Sequence, residues 1–177
     1  YINSVSPYIM TSGVVKANSE SKATSIIGTN NDYLKMEGTK METGRFITEN
    51  DMENNMKVAV IGSAVQKKLF EMSESKINDE ATKVAKTQIR VMRRNLLKGL
   101  EPNYIYNAVY GILEETMNGA DGTNDDMVMV PVNVAQRTLK IKNVTMFMAS
   151  ASSSDTVDLA MQHIENFLYN IYRDSDK

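Results

Sequence analysis

The 177-residue chain reads as an α+β domain, and three observations predict it. Short apolar, β-branched runs recur along the chain, punctuated by Gly, Pro, Asn and Asp. One long amphipathic pattern, from Val157 to Ile171, closes it. In all, about eight strand-like and four or five helix-like segments follow one another without strict βαβ alternation. With 42% hydrophobic and 24% charged residues, the composition suits a folded body with a proper core. A compact chain of this length buries roughly two-thirds of the surface it exposes when unfolded.

The elements follow in order. Val5 to Ala17 is rich in Val, Ile and Tyr and predicts a first strand. Pro7 has no N–H to give a ladder, which confines that point to an edge or a strand entrance. Ser21 to Gly28 predicts a second strand, and the turn formers Asn18, Ser19 and Glu20 predict a hairpin between the two. Asn31 to Glu37 reads as a helical turn closed by Gly38. Gly44 to Ile47 is an extended piece, and Thr48 with Asp51 makes a capping pair for a brief helix. Lys57 to Gly62 is the clearest buried strand. Ser63 then caps a helix with Val65, Leu69 and Phe70 on one face.

The stretch from Glu71 to Asn103 fits two periods at once. Ala85, Ile89 and Met92 make a helical stripe, whereas Ile89 and Val91 alternate with Gln88, Arg90 and Met92. Lys86 to Arg93 is taken as a strand with a helical turn before it. Tyr104 to Leu113 is β-rich, Met117 to Asp126 is a loop, and Met127 to Val130 is a short strand stopped by Pro131. That proline lies near the first turn of a helix over Val132 to Leu139. Val144 to Ala151 is the last strand. Ser152, Ser153, Ser154 and Asp155 open the final helix, where Asp155 and Asp158 complement its dipole. Val157, Ala160, Ile164, Phe167, Leu168 and Ile171 share one face of it. Burying four or five such side chains stabilises by roughly 1.5–3 kcal/mol each before entropy is subtracted.

Composition narrows the function classes. A net charge of −2 gives no overall pull toward nucleic acid or anionic lipid. The absence of cysteine removes disulfides and thiolate metal sites. No apolar run reaches the roughly 18 residues of a membrane span, and Tyr1 opens no signal peptide. The chain starts without Met in sequence that already reads as ordered, so we expect it to be a piece of something larger.

Chemistry-bearing motifs are scarce. The one histidine, His163, has only Asp158 and Glu165 as local acidic company, so a structural or solvent-facing role is expected. Asp121-Gly-Thr-Asn-Asp-Asp126 invites calcium, but it lacks the glycine and the closing glutamate of an EF-hand loop and reads as a solvated turn. Gly28, Gly62 and Gly111 stand alone and form no phosphate cradle, and no G-x-S-x-G elbow is present. The basic residues from Lys83 to Lys98 read as a solvated face beside the acidic Ser73–Glu80 stretch, and the 13 methionines as adaptable core filling. We expect no catalytic residue, no metal and no cofactor.

Short blocks in a particular order add to this reading. They are Val5-Ser6-Pro7, Ile27-Gly28-Thr29 with Tyr33, Thr43-Gly44-Arg45-Phe46-Ile47-Thr48 with Asp51, and Val58-Ala59-Val60-Ile61-Gly62 with Leu69-Phe70. Val109-Tyr110-Gly111-Ile112-Leu113, Asp125-Asp126 to Val130-Pro131, and a terminal strand and helix complete them. This succession resembles the periplasmic core domain of MacB-like ABC transporter permeases over nearly the whole chain. Family members pass quickly from Leu-Phe to the next strands; here residues near 71–84 and 95–103 are extra, and Lys86 to Val91 stands for the first of those strands.

The resemblance implies two subdomains. One is a porter-like βαβ-type subdomain formed by both chain ends, 1–40 and 143–177. The other is an inserted, mostly β, Sabre-like subdomain, 41–142. It further implies a noncatalytic domain on the extracytoplasmic side of a membrane, periplasmic or extracellular, with membrane helices before Tyr1 and after Lys177. The implied partners are an ABC ATPase, a membrane fusion (adaptor) protein and a second permease in a homodimer, with no nucleic acid. The implied work is mechanotransmission, coupling ATP hydrolysis to partner docking and export. The alternative is an extracellular binding module for a peptide or lipid ligand; an enzyme is the weakest of the readings.

Overall fold

The computed structural model describes residues 1–17, 20–70, 88–93, 105–116 and 123–173. Strand β1 (Ile2–Ala17) turns back into β2 (Glu20–Thr29) as an antiparallel hairpin, with Ile9 opposite Gly28 and Ala17 opposite Glu20. β2 runs parallel to β7 (Met127–Pro131), and β7 antiparallel to β4 (Val58–Ile61). β4 runs parallel to β6 (Ile105–Leu113), β6 antiparallel to β5 (Gln88–Arg93), and β5 antiparallel to Gly13–Lys16 of β1. The pairing path therefore returns to its start and joins six strands in a ring. β3 (Met41–Gly44) hangs on β6, and β8 (Met146–Ala151) on the front half of β1.

The period-2 alternation of side chains sorts this sheet into two cores. Ala59 and Ile61 of β4 join Ile26, Val128 and Val130 in one cluster. Val60, Ile27 and Met129, from the alternate positions, join the other. β4 and β7 are apolar at every position because both their faces are covered. Helix α3 (Ser63–Phe70) closes the first core with Val65 and Leu69, and α4 (Val132–Thr138) with Val132 and Ala135. Tyr33 of α1 (Tyr33–Glu37) and Ile47 close the second.

Where β3 meets β6, two glycines let backbone approach backbone. Gly44 has φ +78°, and a Cβ there would lie 2.1 Å from the Tyr110 carbonyl oxygen. A Cβ on Gly111 would lie 2.4 Å from the Arg45 carbonyl oxygen. Arg45, next in line, donates its N–H to that Tyr110 oxygen at 2.9 Å and lays its guanidinium 4.4 Å over the Tyr110 ring. The guanidinium grips Asp51 with two hydrogen bonds, Nη1 to Oδ2 at 2.6 Å and Nη2 to Oδ1 at 2.9 Å. Asp51 is fully buried and also accepts from the Thr48 backbone N–H (2.8 Å) and hydroxyl (2.9 Å), completing a capping box on α2 (Glu49–Glu53). Burial opposes the charged carboxylate, but the bonds from Arg45 and Thr48 outweigh it and hold its pKa below the usual range.

The chain ends form a separate arrangement. Among the described residues Ile2–Tyr8 pairs only with β8, because the contact of β1 with β2 begins at Ile9. Pro7 thus lies where β1 has one neighbour, which suits a residue without an N–H. Ser153 and Thr156 make a capping box around a short 3-10 turn, Ser154–Thr156, that holds Asp155. Helix α5 (Val157–Tyr172) follows. The helix stands where periodicity predicts it, but its face is not buried: only Ala160 is, with Ile164 half-buried. Phe167, Leu168 and Ile171 project into solvent, since no described element lies across them. The helical turn expected before Lys86 and the basic residues flanking β5 fall outside the described residues.

Two measurements follow. Asp51 has a folded pKa below its unfolded value of about 3.9, so its contribution is present above that value and lost as pH falls through the folded pKa. Urea midpoints taken from pH 6 down to pH 2 should drop in the wild type, and less in Asp51→Asn. That variant should be about 2–4 kcal/mol less stable at pH 6, because it leaves Arg45 without its charge partner. Gly44→Ala should cost roughly 2 kcal/mol in the same assay, from its left-handed backbone and the closed seam.

Candidate functional site

The polar groups singled out in the sequence do not converge. His163 lies on the exposed side of α5 with its ring tilted 32° against that of Tyr1, centroids 5.2 Å apart. Asp125 is buried and accepts from the Thr116 N–H at 2.9 Å and its hydroxyl at 3.2 Å. Asp126 forms an ion pair with Lys22 at 3.0 Å, off hydrogen-bond alignment, while its carbonyl accepts from the Thr24 hydroxyl at 3.0 Å. Asp125 is thus tied to Thr116 and Asp126 to β2, so the described part of the expected solvated turn, 123–126, is anchored. Among the described residues, no three His, Asp or Glu side chains gather as a metal-ligating set. The methionines divide: Met127 and Met129 fill the second core, while Met10, Met146 and Met161 are exposed.

What the fold does gather is apolar surface. Every large hydrophobic side chain found exposed among the described residues lies between Tyr1 and Met10 or between Met146 and Tyr172. Of these, Met10 alone lies where β1 has already joined the ring, opposite Ile27 of β2. The register of the β1–β8 ribbon explains part of this. Val5 faces Ala149 and Pro7 faces Phe147; a bulge between Ile2 and Ser4 brings Ile2 opposite Ala151 on the same side. That side is apolar in both strands, and Phe147 is 68% exposed. The other side is tied down: Ser4 hydrogen-bonds Ser150, Ser6 hydrogen-bonds Thr29, and Tyr8 stacks on Tyr33.

Helix α5 adds the rest. At 3.6 residues per turn Val157, Ala160, Met161, Ile164, Phe167, Leu168 and Ile171 fall within one stripe. The helix touches the body near Ala160 and Ile164 and presents the remainder to solvent, Phe167 at 64% exposure. Exposed apolar patches of this kind mark a surface that meets something else. Periodicity identified the stripe; only tertiary structure reveals that it has no cover within the described residues.

Comparison with known proteins places this geometry. A family model described as MacB-like periplasmic core domain matches residues 2–167. The macrolide export ATP-binding/permease protein MacB of Neisseria gonorrhoeae is 32% identical over 74 residues, 42% of this chain and 12% of that protein. MacB 2 of Aeromonas hydrophila is 33% identical over 61 residues, 34% of this chain and 9% of that protein. The chain thus spans about an eighth or less of the curated relatives it matches. Among solved structures, the periplasmic region of MacB from Actinobacillus actinomycetemcomitans superposes with a TM-score of 0.71 at 17% identity, covering 97% of this chain and 68% of that one. The extracellular domain of the transporter YknZ from Gram-positive bacteria gives 0.65 at 17% identity, covering 89% and 69%. These likenesses bear out the α+β fold.

If the α5 stripe is a surface and not a core, Leu168→Ser with Ile171→Ser should shift chemical denaturation by only about 0.5 kcal/mol. Leu69→Ala, in the first core, should cost about 2–5 kcal/mol. The double variant should also lower fluorescence of the apolar dye ANS on the native protein.

Proposed function

The chain belongs to the MacB-like periplasmic core domain family, and on that premise we propose that it is the noncatalytic, moving part of an ABC transporter permease. As an extracytoplasmic domain of a MacB-like permease it lies outside the cytoplasmic membrane; no described helix is long and apolar enough to cross one. Membrane helices on both sides of the chain connect it to a cytoplasmic ATPase. Hydrolysis there drives a permease homodimer, and the domain passes that motion to a substrate for export and to a membrane fusion (adaptor) protein. Residues 1–40 with 143–177 act as the porter-like subdomain, and 41–142 as the inserted Sabre-like one. The domain performs no covalent step of its own.

The observation that supports this best is the division of labour between surface and core. Among the described residues the exposed large apolar side chains lie toward the chain ends, and the same strand that carries part of them continues into the ring. A mechanical element needs such an arrangement: a contact surface at one end and a rigid body fixed to it. The exposed apolar stripe also supports a second reading, an extracellular module that captures a peptide or lipid.

Both readings meet the same pair of experiments. In the full-length permease, Phe167→Asp with Ile171→Asp should cut substrate export at least tenfold while the ATPase still turns over; undiminished export overturns the mechanical reading. Melting of the isolated domain with candidate peptides or lipid micelles should show no shift for a transmitter, and a rise of several degrees for a binding module.

A further inference from the structure

β8 ends the sheet, and among the described residues its one strand partner is β1. A solvent-facing edge ordinarily carries a lysine, a proline or a bulge that refuses another strand. β8 has none of these. From Val144 to Ser154 the sequence holds no charge and no proline, and the irregularity in the β1–β8 ladder lies on the far strand, between Ile2 and Ser4. Such an edge is open to pairing.

The edge is also complementary to itself. Two copies related by a two-fold axis normal to the sheet pair antiparallel, with the same face up. If the axis passes through Met148 or Ala149, Phe147 of one copy falls opposite Ala149 or Ala151 of the other, so a large side chain meets a small one in either register. The charges bracketing the strand then match. Lys140 and Lys142 precede β8, Asp155 and Asp158 follow it, and all four are exposed. Antiparallel pairing lays the basic end of one strand beside the acidic end of the other; parallel pairing would set like against like. Exposed Ile2, Val5 and Phe147, on one side of the ribbon, set apolar surface beside that edge.

We infer that the free edge of β8 pairs with β8 of a second copy, joining two terminal ribbons into a four-stranded sheet, β1–β8–β8–β1. The charge match at the strand ends singles out a second copy over an unrelated peptide strand. This names a surface for the homodimer proposed above. Because its test uses the isolated chain, its failure leaves a dimer held by membrane segments untouched.

Light scattering on a dilution series of the isolated domain should show a reversible dimer. Ala149→Lys, which sets like charges together at the axis, should run as a monomer with unchanged circular dichroism. Since the chain has no cysteine, Ala149→Cys introduces a single thiol, and mild oxidation should convert it to a covalent dimer. Glu53→Cys, on α2, should stay uncrosslinked under the same conditions. A monomer at every concentration, a dimer that Ala149→Lys leaves intact, or equal crosslinking at both positions overturns the inference.

Discussion

One continuous strand holds the two ends of this molecule in fixed relation. The front of β1 belongs to the ribbon with β8, its rear to the ring with β2 and β5, and the change of partners occurs between Tyr8 and Ile9. No glycine interrupts that junction, and Ile9 is seated in the first core. The Ser6–Thr29 hydrogen bond, at 2.8 Å and buried, ties the ribbon to β2 just before the hand-over. An extended strand has almost no slack, rising about 3.3 Å per residue near the chain's limit. A pull along β1 therefore cannot be taken up by lengthening the strand between ribbon and ring.

Much of the fold was legible in the sequence because it obeys short-range rules. Val58–Ile61 and Met127–Pro131 are unbroken apolar runs because both their faces are buried, and Thr48 with Asp51 announced a cap by spacing alone. What spacing could not reveal was the partner at long range. Arg45 looked like one residue of an extended piece, yet it bonds Asp51 and covers Tyr110, a residue on a strand far along the chain. The parallel pairings of β2 with β7 and β4 with β6 were equally invisible, since period-2 patterns do not encode direction.

The candidate surface was half legible. Helical periodicity located the α5 stripe, and the sequence reading then assigned it to the core, as amphipathic stripes usually are. Periodicity reports that a helix has an apolar face and is silent about what meets it. The acidic turn erred in the opposite sense. Asp125 and Asp126 seemed solvated because charged residues usually are, but Thr116 and Lys22 supply partners from elsewhere in the fold.

The seam between β3 and β6 carries a consequence for divergence. Gly44 and Gly111 abut one another's backbone, and each is barred from a side chain by an atom that cannot retreat without unzipping the strands. Neither position can drift by itself: a methyl at either one pushes Arg45 off Tyr110 and so loosens the grip on Asp51. Two residues that contribute no side chain at all thus bear on the placement of the Arg45–Asp51 pair, the shortest ion pair among the described residues. Distant relatives sharing this architecture should keep the two blanks even where the surrounding letters have changed.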